Sequence, residues 1–147
     1  MDELTIDARV GNLNMVIRFI SERLEAAGCS MKQQAQMTIA AEEVFVNIAR
    51  YAYDNRSGGA TVRISVGDDI VVEFEDSGKP YNPIDKSDPD ITASVDNREV
   101  GGLGVFMVKK LMDSVEYRRE KGKNVLTLRK SLVVPVSAAP AAAASAR

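Results

Sequence analysis

The sequence predicts an α+β fold, a two-layer sandwich in which helices cover one face of a mixed, mostly antiparallel sheet. Three observations support this fold class. Alternating apolar residues occur in hairpin pairs, apolar stripes with helical spacing stand apart from them, and turn residues separate the segments. The chain has 147 residues, of which 45% are apolar and 27% charged, a balance typical of one globular domain with a hydrophobic core.

The first half of the chain is expected to form one strand and two helices. Apolar and polar residues alternate near the N-terminus, which predicts a short strand before Asn12. Asn12 is a candidate N-cap for a first helix that ends at Gly28, since glycine favours helix C-termini. Ser30 and Gln33 have capping-box spacing, which predicts a longer second helix from there to about Tyr53.

The second half of the chain is expected to form two hairpins and a third helix. Residues 67–69 and 121–124 have the composition of hairpin turns. An apolar stripe in the last third of the chain predicts the helix. The expected elements are a hairpin of residues 62–66 and 70–74, a helix of residues 103–112, and a hairpin of residues 115–120 and 125–131.

These elements assign residues 1–132 to one domain. Residues 133–147 form a low-complexity segment rich in alanine and proline. Because such small side chains cannot offset the entropy lost on ordering, this segment is predicted to be a disordered tail. Residues 76–102 show little periodicity, and a long irregular stretch within a domain is typically functional or mobile.

Composition excludes several classes of protein. The chain lacks histidine, which removes histidine-dependent nucleophilic catalysis, histidine-ligated zinc and an autophosphorylating histidine. A net charge of −2 disfavours direct nucleic-acid binding, and the single cysteine, Cys29, permits no intrachain disulfide. No apolar run approaches the ~20 residues of a membrane helix, and the acidic N-terminus is unlike a secretory signal. We therefore expect a cytoplasmic protein with no membrane partner.

The second predicted helix carries the first candidate site residues. Glu43 and Asn47 are four residues apart and therefore share a helix face. They lie about 100° from the apolar stripe of the same helix, at the edge of the expected core. This arrangement places a carboxylate and an amide where a cleft could open, although a solvent-facing pair without function has the same pattern.

Two further segments carry polar or flexible groups next to predicted elements. Asp76 follows a strand directly, and Gly78 lets a flat ring approach the backbone nearby, although a simple turn uses the same residues. Gly101-Gly102-Leu103-Gly104 leads into the third helix. Its amides and the positive end of the helix dipole are suited to bind phosphates, although a glycine cluster alone is weak support.

In combination, these features resemble a known family. Asn47 precedes Asp76 by 29 residues, and Asp76 precedes Gly102 by 26. This ordered set resembles the N, G1 and G2 boxes of the GHKL ATPases, whose nucleotide site is the Bergerat fold. Residues 102–113 and 124–128 look like the matching segments of the anti-sigma-factor serine-protein kinases. The resemblance extends over residues 3–131, nearly the whole chain apart from the tail.

The resemblance implies a role for each candidate residue. Glu43 would be the general base, Asn47 would bind Mg²⁺ through its side-chain oxygen, and Asp76 would accept a hydrogen bond from the adenine amine. Gly78 would leave room for the ring, and Thr127 would support the adenine end. The phosphates of ATP would contact the glycine run, namely Gly101, Gly102, Leu103 and Gly104.

The same resemblance implies a mobile lid and adds two arginines. Residues 84–100 would close over the nucleotide. Some kinases of this family have an arginine just before the glycine run, and Arg98 is the nearest candidate here. Arg50, on the Glu43 helix, is a further candidate site residue. Many members have a histidine four residues after the motif asparagine, whereas this chain has Tyr51.

The function implied by the resemblance is that of an ATP- and Mg²⁺-dependent serine-protein kinase that is also an anti-sigma factor. In that scheme a homodimer sequesters a sigma factor, phosphorylates a small antagonist protein on serine, and regulates transcription in a stress response. The alternative is a nucleotide-dependent switch that sequesters its partner without phosphoryl transfer. Glu43 separates the two readings, because only the kinase needs a base.

Overall fold

The computed structural model describes residues 1–85 and 102–132, with side chains in the second range from Gly104 onward. The described strands are β1 (Asp2–Asp7), β2 (Gly59–Val66), β3 (Asp69–Asp76), β4 (Ser114–Glu120) and β5 (Lys123–Ser131). The described α-helices are α1 (Leu13–Ala26), α2 (Met31–Tyr51) and α3 (Gly102–Leu111). Two single turns of 3-10 helix, Val10–Asn12 and Pro83–Asp85, complete the regular structure of these residues.

The five strands form one sheet in the order β1-β2-β3-β5-β4. Each of the four pairings between described strands is antiparallel, whereas the sequence predicts a mixed sheet. Alternate residues of β2, β3 and β5 are buried on the same face, where the three helices pack. The predicted two-layer α+β sandwich is confirmed.

The core lies between the helices and this face of the sheet. Phe45 on α2 and Phe74 on β3 are its largest fully buried side chains. Full burial of a side chain of this kind contributes about 1.5–3 kcal/mol. The opposite face of the sheet carries charged residues, among them Arg63 and Glu75, whose side chains form an ion pair. This difference in polarity explains why the helices cover only one face.

The two predicted helix caps have different outcomes. At the start of α2, the Ser30 hydroxyl accepts a hydrogen bond from the Gln33 amide (3.1 Å), and the Gln33 side chain accepts one from the Ser30 amide (2.9 Å). The predicted capping box is confirmed. At α1, the Asn12 side chain instead donates to the Asp7 carbonyl (2.9 Å). The preceding 3-10 turn holds Asn12 away from the extended conformation that capping needs.

The turn between β4 and β5 is shorter than predicted. Lys121 and Gly122 both have positive φ, 52° and 76°, as in a two-residue type I′ turn. The sequence predicts a turn of residues 121–124, but Lys123 and Asn124 already belong to β5. Asn124 is 6% exposed and pairs with Asp76 of β3. This correction places a buried amide beside a candidate site residue.

Candidate nucleotide site

A cleft of about 660 Å³, its open mouth included, lies between α2, α3 and the sheet. Glu43 and Asn47 of α2 and Asp76 of β3 all line it. The fold therefore brings together three candidate residues that are far apart in sequence. Its apolar walls are formed by side chains of α2, the sheet and α3, among them Ile48, Phe74, Val105, Val108 and Leu126.

Asp76 is a buried carboxylate at the end of β3, with 6% of its surface exposed. One of its oxygens, Oδ1, accepts hydrogen bonds from the Gly78 amide (2.9 Å) and from the Asn124 side chain (3.0 Å). Among the described residues, nothing donates a hydrogen bond to the other oxygen, Oδ2. A buried acceptor without a donor is costly. The cleft therefore fits a ligand that supplies an N–H or O–H group here.

The segment after Asp76 is held at several points. The Lys79 amide donates to the Ala52 carbonyl (3.0 Å), and the Gly78 carbonyl accepts from the Arg119 guanidinium (2.9 Å). A Cβ added to Gly78 would overlap the Ala52 carbonyl oxygen and lie 2.6 Å from the Ala52 Cβ. The structure thus gives Gly78 a packing role against the end of α2, beside its predicted role of leaving room for a ring.

Glu43 is half-buried on α2, on the wall of the cleft that faces α3. Burial raises the pKa of its carboxyl, and the charge of Glu42 raises it further. The positive charge of Arg50 and the side chain of Asn47 act in the opposite direction, but burial has the largest effect. A carboxyl with a raised pKa is a stronger proton acceptor once ionised, as a general base requires.

Gly104 lies directly against the Glu43 carboxylate. A Cβ at this position would overlap the carboxylate as it stands, so a larger residue would require the Glu43 side chain to move. Gly102 and Leu103 form the first residues of α3, whose N-terminal end carries the partial positive charge of the helix dipole. Gly101 and Arg98 lie outside the described residues, as does the predicted lid except for Ile84 and Asp85.

Thr127 and Arg50, like Gly78 and Gly104, are not among the residues that line the cleft. Thr127 is on β5 opposite Glu73 of β3, and the register places both on the sheet face opposite that of Asp76. The register therefore gives Thr127 no place on the cleft face, and its role at the adenine end stays a prediction. Arg50 is exposed and lines a second groove, described below, and not the cleft itself.

Asn124 is the main cleft residue that the sequence analysis missed. It occupies the sheet position beside Asp76, on the same face. The signal that could have identified it is the alternation of β5. Leu126 and Leu128 are core residues, so residue 124 must also point towards the helix side. A polar residue at such an inward position indicates a functional or structural hydrogen-bond network.

A second groove lies on the other side of Glu43. Glu43 lines this groove together with Arg50 and Gly104. Its remaining wall carries exposed apolar side chains, with Val10, Ile39 and Met107 between 44% and 51% exposed. Glu43 is therefore shared by two concave surfaces.

Comparison with known proteins identifies the family. A family model described as the histidine kinase-like ATPase domain matches residues 6–130. The chain belongs to this family, as the sequence resemblance predicts. A serine-protein kinase named RsbW from Halalkalibacterium halodurans is 29% identical over 135 residues, covering 82% of this chain and 76% of that protein. An anti-sigma F factor from Caldanaerobacter subterraneus is 26% identical over 98 residues, covering 66% of this chain and 68% of that protein.

A solved structure has the same fold. It contains the RsbU and RsbW domains of a Mycobacterium tuberculosis protein and superposes with a TM-score of 0.61 at 16% identity. The superposition covers 92% of this chain but only 34% of that longer chain. At this identity the likeness concerns the fold alone. No helix within residues 1–85 and 102–132 is long and apolar enough to cross a membrane.

Proposed function

We propose that this protein is an ATP-dependent serine-protein kinase that also acts as an anti-sigma factor. The observation that carries the proposal is the position of Glu43 between the cleft and the second groove. ATP in the cleft would present its terminal phosphate on one side of the carboxylate, and a protein hydroxyl would enter from the other. The serine-kinase and anti-sigma relatives support the same function.

ATP fits the cleft through its base and its phosphates. Oδ2 of Asp76, a buried acceptor that no described residue supplies with a donor, suits the adenine amine. The phosphates would extend towards the N-terminal end of α3, at Gly102 and Gly104, where helix amides and the helix dipole favour anions. Residues 84–100 would form the lid over the nucleotide. Arg98 and Gly101 would lie near the phosphates.

Magnesium would be held mainly by the nucleotide. The described residues contain no group of three or more histidine, cysteine, aspartate or glutamate side chains able to hold a metal ion. Asn47 offers an amide oxygen on the cleft wall, and Mg²⁺ commonly combines one or two protein oxygens with substrate phosphates and water. The ion would neutralise negative charge on the phosphates during transfer.

Transfer requires a base at the attacking hydroxyl. Glu43 would accept the proton of the serine hydroxyl. The serine oxygen would form a bond to the γ-phosphorus as the bond between the γ-phosphorus and the β,γ-bridging oxygen breaks. The products are phosphoserine and ADP. The exposed apolar wall of the second groove would receive the segment of the substrate that carries the serine.

The remaining features of the proposal concern partners and location. We propose a cytoplasmic homodimer that binds a sigma factor and phosphorylates a small antagonist protein, thereby regulating transcription in a stress response. Direct nucleic-acid binding is not part of the proposal, because the net charge of −2 provides no general attraction for phosphate backbones.

The test is labelling with γ-³²P-ATP in an extract of the source organism, with Glu43→Gln as the paired variant. We expect the wild-type protein to label one small protein on serine. The variant should label none while keeping the thermal stabilisation by Mg-ATP. Equal labelling by Glu43→Gln would rule out Glu43 as the base. Stabilisation by Mg-ATP with no labelled protein for either form would favour the switch without phosphoryl transfer.

A further inference from the structure

Asn124 makes four hydrogen bonds, which use every donor and acceptor of its side-chain amide. Nδ2 donates to Asp76 Oδ1 (3.0 Å) and to the Lys79 carbonyl (2.9 Å). Oδ1 accepts from the Tyr117 hydroxyl (2.6 Å) and from the Tyr81 amide (3.3 Å). One buried side chain thus joins β5 to the end of β3, to β4 and to the segment that follows β3.

This network allows only one orientation of the amide. Exchanging its oxygen and nitrogen would set the oxygen against a carboxylate and a carbonyl, and the NH₂ group against the Tyr81 N–H. Each of those contacts would be repulsive or unsatisfied. Asn124 therefore presents a donor to Asp76 at all times and has no further N–H group for a ligand.

The orientation of Asn124 determines which oxygen of Asp76 can face a ligand. Oδ1 already accepts from Gly78 and Asn124, which fixes the rotation of the carboxylate. Within the described residues, Oδ2 has no donor of its own, so the cleft recognises a group that donates a hydrogen bond. A group that only accepts would meet the carboxylate oxygen and find no spare N–H on Asn124.

We infer that Asn124 is a positioning residue that determines nucleotide specificity, by holding the Asp76 carboxylate so that the cleft takes 6-aminopurine nucleotides and rejects 6-oxopurine ones. The inference rests on the proposed nucleotide-binding function of the cleft. Asn124 acts through Asp76 and not on the reacting atoms. A site that pairs a buried polar group with its ligand discriminates strongly against an analogue that cannot form the pair.

The test compares Mg-ATP with Mg-GTP binding by calorimetry for the wild-type protein, Asn124→Leu and Asn124→Ser. Leucine has nearly the same shape as asparagine but no hydrogen-bonding group, whereas serine keeps one donor. We expect wild-type protein to prefer ATP by about 100-fold or more, as for other sites of this kind. Asn124→Leu should reduce that preference by at least about tenfold, since Asp76 can then rotate, and Asn124→Ser should restore part of it.

A merely structural role for Asn124 gives a different result. Both nucleotides would then bind more weakly by the same factor, and the preference for ATP would stay unchanged in each variant, which would overturn the inference. If Asn124→Leu does not fold, Tyr117→Phe tests the role of Asn124 in the same assay. This variant removes only the hydrogen bond to the Asn124 oxygen, so it should lower the preference for ATP over GTP by a smaller factor. Wild-type protein that binds neither nucleotide would refute the proposed function as well, whereas ATP binding with unchanged preference refutes only the role of Asn124.

Discussion

Replacing Asp76 with asparagine tests the recognition of adenine most directly. The amide oxygen of Asn can keep the bonds from Gly78 and Asn124, so its NH₂ group takes the place of Oδ2. An amine of the ligand would then meet a donor where the wild-type protein has an acceptor. A hydrogen bond to a charged group contributes about 1.5–3 kcal/mol, so the dissociation constant for ATP should rise by about 10- to 100-fold or more.

Thermal unfolding with and without Mg-ATP measures this loss. At an ATP concentration of a hundred times the wild-type dissociation constant, the ligand adds ~2.7 kcal/mol to the stability of the wild-type protein. For a chain of this size that corresponds to a rise in Tm of roughly 5–10 °C. If the variant binds about 100-fold more weakly, the same ATP concentration adds only ~0.4 kcal/mol, or about 1 °C.

The matched control is Glu75→Gln, the adjacent residue on β3. It removes the same charge, but Glu75 faces the other side of the sheet, where it pairs with Arg63 and Lys123 at 3.4 Å. This variant should lose some stability and keep the full shift with Mg-ATP. The reasoning is refuted if Asp76→Asn shows the same nucleotide-dependent shift as the wild-type protein.

Two further predictions concern Gly78 and Glu43. Gly78→Ala should destabilise the protein by about 1–3 kcal/mol, since the added methyl group overlaps Ala52. Urea unfolding measures this loss of stability. The control Gly67→Ala should not show it, because an added Cβ at Gly67 meets open space. Burial raises the pKa of Glu43 in the folded protein. Above the usual glutamate pKa of about 4.3, the unfolded chain has therefore released a proton that the folded protein still holds. In that pH range Glu43 lowers the stability of the folded protein. Glu43→Gln should therefore be more stable than the wild-type protein at pH 7 and equally stable below about pH 4. The control is Glu25→Gln, at an exposed position on α1. An equal gain in stability at pH 7 from this control would contradict burial of the Glu43 carboxyl as the cause.

The same shift sets the acidic limit of the proposed transfer. Glu43 accepts a proton only when it is ionised, so activity should fall as the pH drops through its raised pKa.

The amino-acid sequence by itself was sufficient for those features that depend on neighbours along the chain. The capping box at Ser30 and the hairpin of β2 and β3 follow from spacings of a few residues, and both are present in the structure. The order and spacing of Asn47, Asp76 and Gly102 also pointed to the correct family, because each motif is a short segment next to a recognisable helix or strand.

Other features depended on the register of the sheet. A change of one residue in register moves a side chain to the other face. The sequence pattern of β5 did not settle where its turn ends, and the sequence analysis named Thr127, not Asn124, as a residue at the adenine end. Pairing with β3 places Asn124 next to Asp76 and places Thr127 on the opposite face.

The tertiary structure also decided which surfaces meet. Glu43 and Gly104 are distant in sequence, and only the packing of α3 on α2 brings them into contact and leaves Glu43 between two concave surfaces. Likewise, Gly78 contacts Ala52 because the end of α2 lies beside the end of β3. Helix and strand periodicities determine which side chains face the core, but contacts between elements depend on how the whole chain packs, which is why these features could not be derived from local sequence.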